Sequence, residues 1–199
     1  MHNEEINKAR VFIYNVLSLL FVEEHVKTQT PMIVENLKLL QENSFSEEAA
    51  KAIFEVVSYL EKNEADALYK IYQELFLVPF GTYVSLSSSL YHEQREAGLM
   101  LVRVRDILAQ TKIRRDENSF KAPEDHYGFI FTLSTYLIEN NATQSTKKDL
   151  HQELFRNVID PHIDQLILGL IDSKNEVYAK VGIFLEAFVN FERSYLAIK

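Results

Sequence analysis

Cysteine is absent from this 199-residue sequence, which removes disulfides, thiolate nucleophiles and cysteine-ligated zinc or iron–sulfur sites. Tryptophan is absent as well, and 5 glycines and 4 prolines are too few for long disordered linkers or a glycine-rich phosphate loop. Positive charge is scarce. Against 29 Asp and Glu there are 21 Lys and Arg, and the net charge of -8 argues against nucleic acid or an anionic membrane as partner while favouring a basic one. Long apolar runs are missing too. The nearest, in "NKARVFIYNVLSLLFVEEH", is broken by Tyr14, Asn15 and Ser18, follows Glu4 and Glu5, and lacks a small-residue cleavage site. It reads as an ordinary buried helix, and the protein as cytoplasmic with no stable membrane insertion.

What remains is 47% hydrophobic, enough for one domain over residues 1–199 with a substantial core. Helical spacing dominates. Ile6, Ala9, Ile13, Val16, Leu17 and Leu20 form a first stripe, and Thr30-Pro31 fits an N-cap and first-turn proline ahead of Ile33, Leu37 and Leu40. Ser44 with Glu47 has capping-box spacing and Ser46 is a rival cap, before a stripe of Ile53, Phe54, Val57 and Leu60. Leu68, Ile71, Tyr72, Leu75 and Phe76 mark a fourth helix. The pattern then breaks at "LVPFGTYVSLSSSLYHE", which reads as an ordered loop. Further helices are expected over about 93–110, from Pro123 to about Glu139, from about Ser145 to Val158 after a turn at "NNATQSTKKD", from Pro161 behind an Asp160 cap, and from Ser173. No repeat at a solenoid period is visible, so the expected fold is all-α, a single-domain irregular helical bundle.

The chemistry-bearing residues are few. None of the 6 histidines has a glutamate three residues before it, and HExxH, GxSxG, GxxxxGK[ST] and GxGxxG are all missing. Asp125-His126, with His162 and Asp164, leaves open a helical metal-dependent phosphohydrolase, although the spacing matches no known ligand set. Pro123, Glu124 and Asp125 are also what a helix start requires, with acids at the positive end of the dipole. A basic cluster of Arg103, Arg105, Lys112, Arg114 and Arg115 has the composition of a solvated helix end and lacks the charge excess that nucleic-acid binding needs.

Taken in order, "YQELFLVPF", "SSLYHEQR" and "APEDHYGFIF" resemble the TorD/DmsD family of cytoplasmic maturation chaperones for molybdoenzymes. The resemblance runs through Tyr72, Leu75, Phe76 and Pro79, then Ser89 and Tyr91, then Pro123, Glu124, Asp125 and His126, with "HQELFRNVIDPHIDQL" and "EVYAKVGIFLEAFVNF" similar to the C-terminal helices. It implies an all-helical, non-enzymatic chaperone without cofactors. Its partners would be the twin-arginine signal peptide and apo-form of a molybdopterin oxidoreductase of anaerobic respiration, held before export by a monomer or homodimer. A twin-arginine signal joins a basic region to an apolar one, so carboxylates beside a hydrophobic groove would suit it. Within the resemblance, Glu124 and Asp125 are candidate partners for arginine. Tyr72, Phe76, Leu86 and Tyr91 are candidates for the apolar part, and His126 is a candidate hydrogen-bonding link between loop and helix start. Ala122 stands where the family commonly has an acid, and "SLSS" at 85–88 replaces a Pro-Trp-Gly type loop, which points to a divergent branch with its own client. Guanine-nucleotide binding, reported for the family, has no phosphate-loop signature here.

Overall fold

The computed structural model describes residues 2–78, 81–140 and 149–198. Eleven α-helices follow in order among these residues: α1 (His2–Phe21), α2 (Glu23–Thr28), α3 (Thr30–Glu42), α4 (Glu47–Lys62), α5 (Ala67–Tyr72), α6 (Ser88–Glu93), α7 (Leu99–Ala109), α8 (Tyr127–Glu139), α9 (Leu150–Leu154), α10 (Ile163–Asp172) and α11 (Tyr178–Tyr195). Two of them widen into π-helical turns, α5 into Gln73–Leu77 and α9 into Phe155–Ile159. The all-α expectation is what the structure shows. Backbone pairing between extended segments is confined, among the described residues, to an isolated antiparallel bridge between Ser87 and His126.

The helices form two interleaved units, one from residues up to 22 together with 86–162, the other from 23–85 together with 163 onward. In the first unit α1 lies along α8. Ile13, Val16, Leu17 and Leu20 are buried as their spacing predicts, Tyr14 and Phe21 pack against Phe131, and the hydroxyls of Ser18 and Thr132 meet at 2.7 Å. The start of the stripe differs from expectation, with Ala9 exposed and Arg10 buried. Arg10 tolerates that position because its guanidinium donates to Asn7 Oδ1 and to Nδ1 of the buried His151. In the second unit α11 packs on both α4 and α10, and α3 packs on α4. Here Phe54 is 55% exposed and Val56 takes the buried position, a one-sided stripe drawn a little too wide.

Boundaries moved where a cap competed. Ser46, not Ser44, caps α4 by accepting from Ala49 N, and Asn175 Oδ1, in place of Ser173, receives the N–H groups of Val177 and Tyr178 ahead of α11. Asp160 belongs to the end of the π-helical turn rather than capping a helix, and α10 begins two residues after Pro161. The short α2 carries only Val26 as a buried residue, too little periodicity to be seen, and α6 was hidden in the expected loop. α7 starts at Leu99 rather than near 93 because Gln94 and Ala97 adopt positive φ and Glu93 Oε1 reaches forward to the N–H of Leu99. The expected turn at "NNATQSTKKD", the 145–148 start of the helix before Val158, and Pro79 lie outside the described residues.

Gly128 sets how closely α8 approaches the end of α1. A Cβ there would stand 2.8 Å from both Phe21 O and Val22 Cγ2, and the first of these is backbone that cannot swing away. Gly128→Ala is expected to destabilise the fold by about 1–3 kcal/mol, more than the roughly 1 kcal/mol that alanine gains in helix propensity. Urea denaturation of the two proteins checks this, and an unchanged midpoint would mean that the two helices can separate freely.

Candidate functional site

Glu124, Asp125 and His126 stand side by side, and each holds a different segment of the first unit. Asp125 is 1% exposed, with its Oδ2 accepting from the Ser87 hydroxyl at 2.9 Å and from the Ser89 N–H at 3.4 Å, at the start of α6. Backbone bonds close the same junction, from Ser88 N to Asp125 O at 2.9 Å and from Tyr127 N to Leu86 O at 2.8 Å. A buried carboxylate is tolerable there because it gains hydrogen bonds in place of water.

His126 caps α8, its Nδ1 accepting from Gly128 N at 3.1 Å, so that the ring carries its proton on Nε2 when neutral. The edge of Phe120 lies against it, with ring centroids 5.3 Å apart. Burial pushes the imidazole down to about 4, with the Asp125 charge opposing this only in part. Asp125 and His126 therefore serve as two separate caps and do not form a hydrogen-bonded dyad, since each polar contact described for them leads to backbone or serine.

Glu124 completes the junction by receiving Nε and Nη2 of Arg105 at 3.2 and 3.0 Å, with Arg115 Nε 3.5 Å away. Burial acts to raise its carboxyl, but the hydrogen bond and charge of Arg105, together with Arg115, outweigh this and leave it below the ordinary value. Four of the five residues of the basic cluster make contacts within the fold, although Arg105 and Arg114 keep exposed surface. Arg103 donates to Asn157 O, Arg114 to the carbonyls of Leu108, Thr111 and Ile113 at the end of α7, and Arg115 to those of Phe120, Lys121 and Ala122. Leu86 is buried at the same junction, while the half-buried Tyr91 has its ring 6.3 Å from that of Tyr127.

The remaining candidates, Tyr72 and Phe76, belong to the second unit. Their rings pack edge to face at 4.9 Å, and Phe76 meets the fully buried Tyr178 at 4.7 Å. Burial raises the phenols of Tyr72 and Tyr178. From inside, these two residues anchor the π-helical segment. The chain returns to it where Val84 N donates to Leu75 O at 2.9 Å, and on either side of that bond Leu77, Val78 and Tyr83 are 45%, 41% and 42% exposed. Glu74 is exposed one turn before them and also lines a cleft of about 450 Å³ with Tyr59, Lys62, Glu64 and Lys70. Periodicity could not single out Leu77 and Val78, because the π-helical turn shifts the helical phase after Phe76. The signal that could have found them is apolar residues persisting beyond the end of a stripe.

Among the described residues no group of three or more His, Asp and Glu is placed to hold a metal ion. The histidine and acid that the sequence sets near each other, His162 and Asp164, are engaged separately, His162 with His92 and Asp164 with Arg193. Nor is any helix among the described residues long and apolar enough to cross a membrane.

Residues 42–168, close to two thirds of the chain, match the model of the family described as nitrate reductase delta subunit, a NarJ/TorD-type chaperone family. The matched stretch contains all seven candidates from Tyr72 to His126. The comparison with curated proteins found no match.

The His126 ring generates a pH dependence. Below about 6.5 the unfolded chain takes up a proton at this histidine while the folded protein resists until about 4, so stability falls as pH falls through that window, by up to roughly 3 kcal/mol. Urea denaturation at several pH values between 7 and 4 should show a shallower loss in His126→Asn, which keeps a capping side chain without a titrating one. Equal slopes in the two proteins would mean that the ring protonates in the native state at its ordinary value.

Proposed function

Because the chain belongs to the nitrate reductase delta subunit family, a family of molybdoenzyme maturation chaperones, we propose that it binds the twin-arginine signal peptide of an apo-molybdoenzyme in the cytoplasm. In this reading the whole chain is one chaperone domain that delays export until the cofactor is inserted, acting by binding and not by turnover. The observation that carries it is the family match across residues 42–168. Support comes from the acidic chain, net charge -8, which draws in the basic region of such a peptide, and from exposed apolar side chains beside an acid at Glu74, Leu77, Val78 and Tyr83.

The seven candidates take different parts in this proposal. Tyr72 and Phe76 are buried next to the exposed Leu77 and Val78 in the second unit, and in the first unit Leu86 is buried, Asp125 already holds the start of α6 and Glu124 already receives Arg105 of α7. Tyr91 and His126, both half-buried, keep surface that a peptide could touch directly. A buried, partnered carboxylate would have to release its own hydrogen bonds to receive an arginine, so exposed acids such as Glu74 are the easier partners.

Calorimetric titration with a twin-arginine peptide from a molybdoenzyme of the same genome tests the reading. Binding in the micromolar range or tighter is expected, weakened about tenfold or more in Leu77→Ser and Tyr83→Ser, which change exposed residues and spare the core. If no such peptide binds the folded protein, signal-peptide recognition is the wrong mode, and the chaperone would have to hold the mature part of its client.

A further inference from the structure

His92 and His162 are 70 residues apart in sequence, yet His92 Nδ1 and His162 Nε2 meet at 2.9 Å. The pair lies in the first unit, joining the end of α6 to the segment that follows the second π-helical turn. His92 is exposed and His162 half-buried, so the two nitrogens face a place that water and ions can reach. The proposed peptide contacts do not use them, and among the described residues no cap or carboxylate contact accounts for the pairing.

The separation fits two different kinds of contact. A neutral N–H···N bond has this length, and so do two imidazole nitrogens bound at a right angle to one ion about 2.05 Å from each, which stand about 2.9 Å apart. The ring centroids are 4.9 Å apart, between the roughly 5.2 Å of a straight N–H···N bond and the roughly 4.5 Å of two rings at a right angle about one ion, so a small tilt of the rings carries the pair from one contact to the other. Burial, then His92 and Arg103, all lower His162, which keeps its ring neutral and able to coordinate at ordinary pH. The Arg103 charge that repels a proton also repels a metal ion, which disfavours cations held by charge alone, such as Mg2+ and Ca2+. It leaves those that bind imidazole strongly.

We propose that His92 and His162 form an open two-imidazole site for a borderline divalent transition-metal ion, Cu2+ or Ni2+ ahead of Zn2+, with water in the remaining positions. The order follows from geometry. The present separation of the nitrogens suits right-angle coordination of Cu2+ or Ni2+, whereas tetrahedral Zn2+ needs them about 0.4 Å further apart. His162 would bind through Nε2 and carry its proton on Nδ1, which is buried without a hydrogen-bond partner among the described residues. That unsatisfied donor costs some affinity, and a carboxylate usually removes this cost in tighter sites. By joining segments distant in sequence, the ion would stabilise the folded first unit.

The test is a titration of the untagged full chain with CuCl2 and NiCl2, followed through histidine ring signals in NMR and through thermal unfolding. Substoichiometric Cu2+ should broaden His92 and His162 ahead of the other four of the 6 histidines. Ni2+ should raise the Tm of the parent and not of His92→Gln or His162→Gln, with affinity at least about tenfold lower in either variant, because each loses half of a two-point site. MgCl2 should do nothing. Broadening spread evenly over all the histidines, or parent affinity in either variant, would overturn the proposal, since a lone exposed imidazole would then be the binder. Should His162→Gln fail to fold, the exposed His92→Gln decides alone.

Discussion

The first unit depends on a carboxylate removed from water. Asp125 is buried, and its oxygen is satisfied by the start of α6, while the residues on either side of it secure α7 and α8. Three consecutive residues thus fix three helices, the last of which follows α7 only after a long connection. The arrangement is asymmetric in energy. Each bond contributes modestly while intact, but loss of a partner leaves a buried charge or amide unsatisfied, at a cost of about 1–3 kcal/mol or more for the charged groups. This explains how a motif of chemically capable residues can be occupied largely by architecture, with the histidine capping a helix and both acids already hydrogen-bonded.

Much of this was legible in the sequence, and the reasons for the failures are specific. Apolar spacing located the longer helices because Leu17, Leu37, Val57 and Leu185 repeat a burial pattern that few other structures satisfy. Helix starts were less legible. At Pro123 the proline and acids suggested a helix at once, yet the turn closed by His126 N and Pro123 O postpones α8 to Tyr127, and histidine rather than an acid became the cap. Arg10 shows the opposite limit. A cation inside the first stripe is invisible to periodicity, since its acceptor His151 is 141 residues away.

For the site, sequence resemblance named residues without saying which of them face outward. Burial divides them. Tyr72 and Phe76 turn inward against Tyr178, while the residues just beyond the π-helical turn are exposed. Aromatic content alone could not make that distinction, because a phase shift within a helix leaves no compositional trace. The basic cluster illustrates the same point for charge, as Arg114 and Arg115 each turn one guanidinium nitrogen onto backbone carbonyls, and Arg115 is largely shielded from solvent.

The pairing of α1 with α8 has a consequence for how the chain comes to be folded. The helix that completes the burial of Leu17 and Phe21 begins roughly a hundred residues after α1 ends. At about 5–20 residues per second of synthesis, the apolar face of α1 waits on the order of 5–20 seconds for that partner. During that interval the nascent chain displays an amphipathic helix with no place to dock, the kind of segment that general ribosome-associated holdases cover. A protein proposed to shelter the unfinished chain of another must, for those seconds, be sheltered itself.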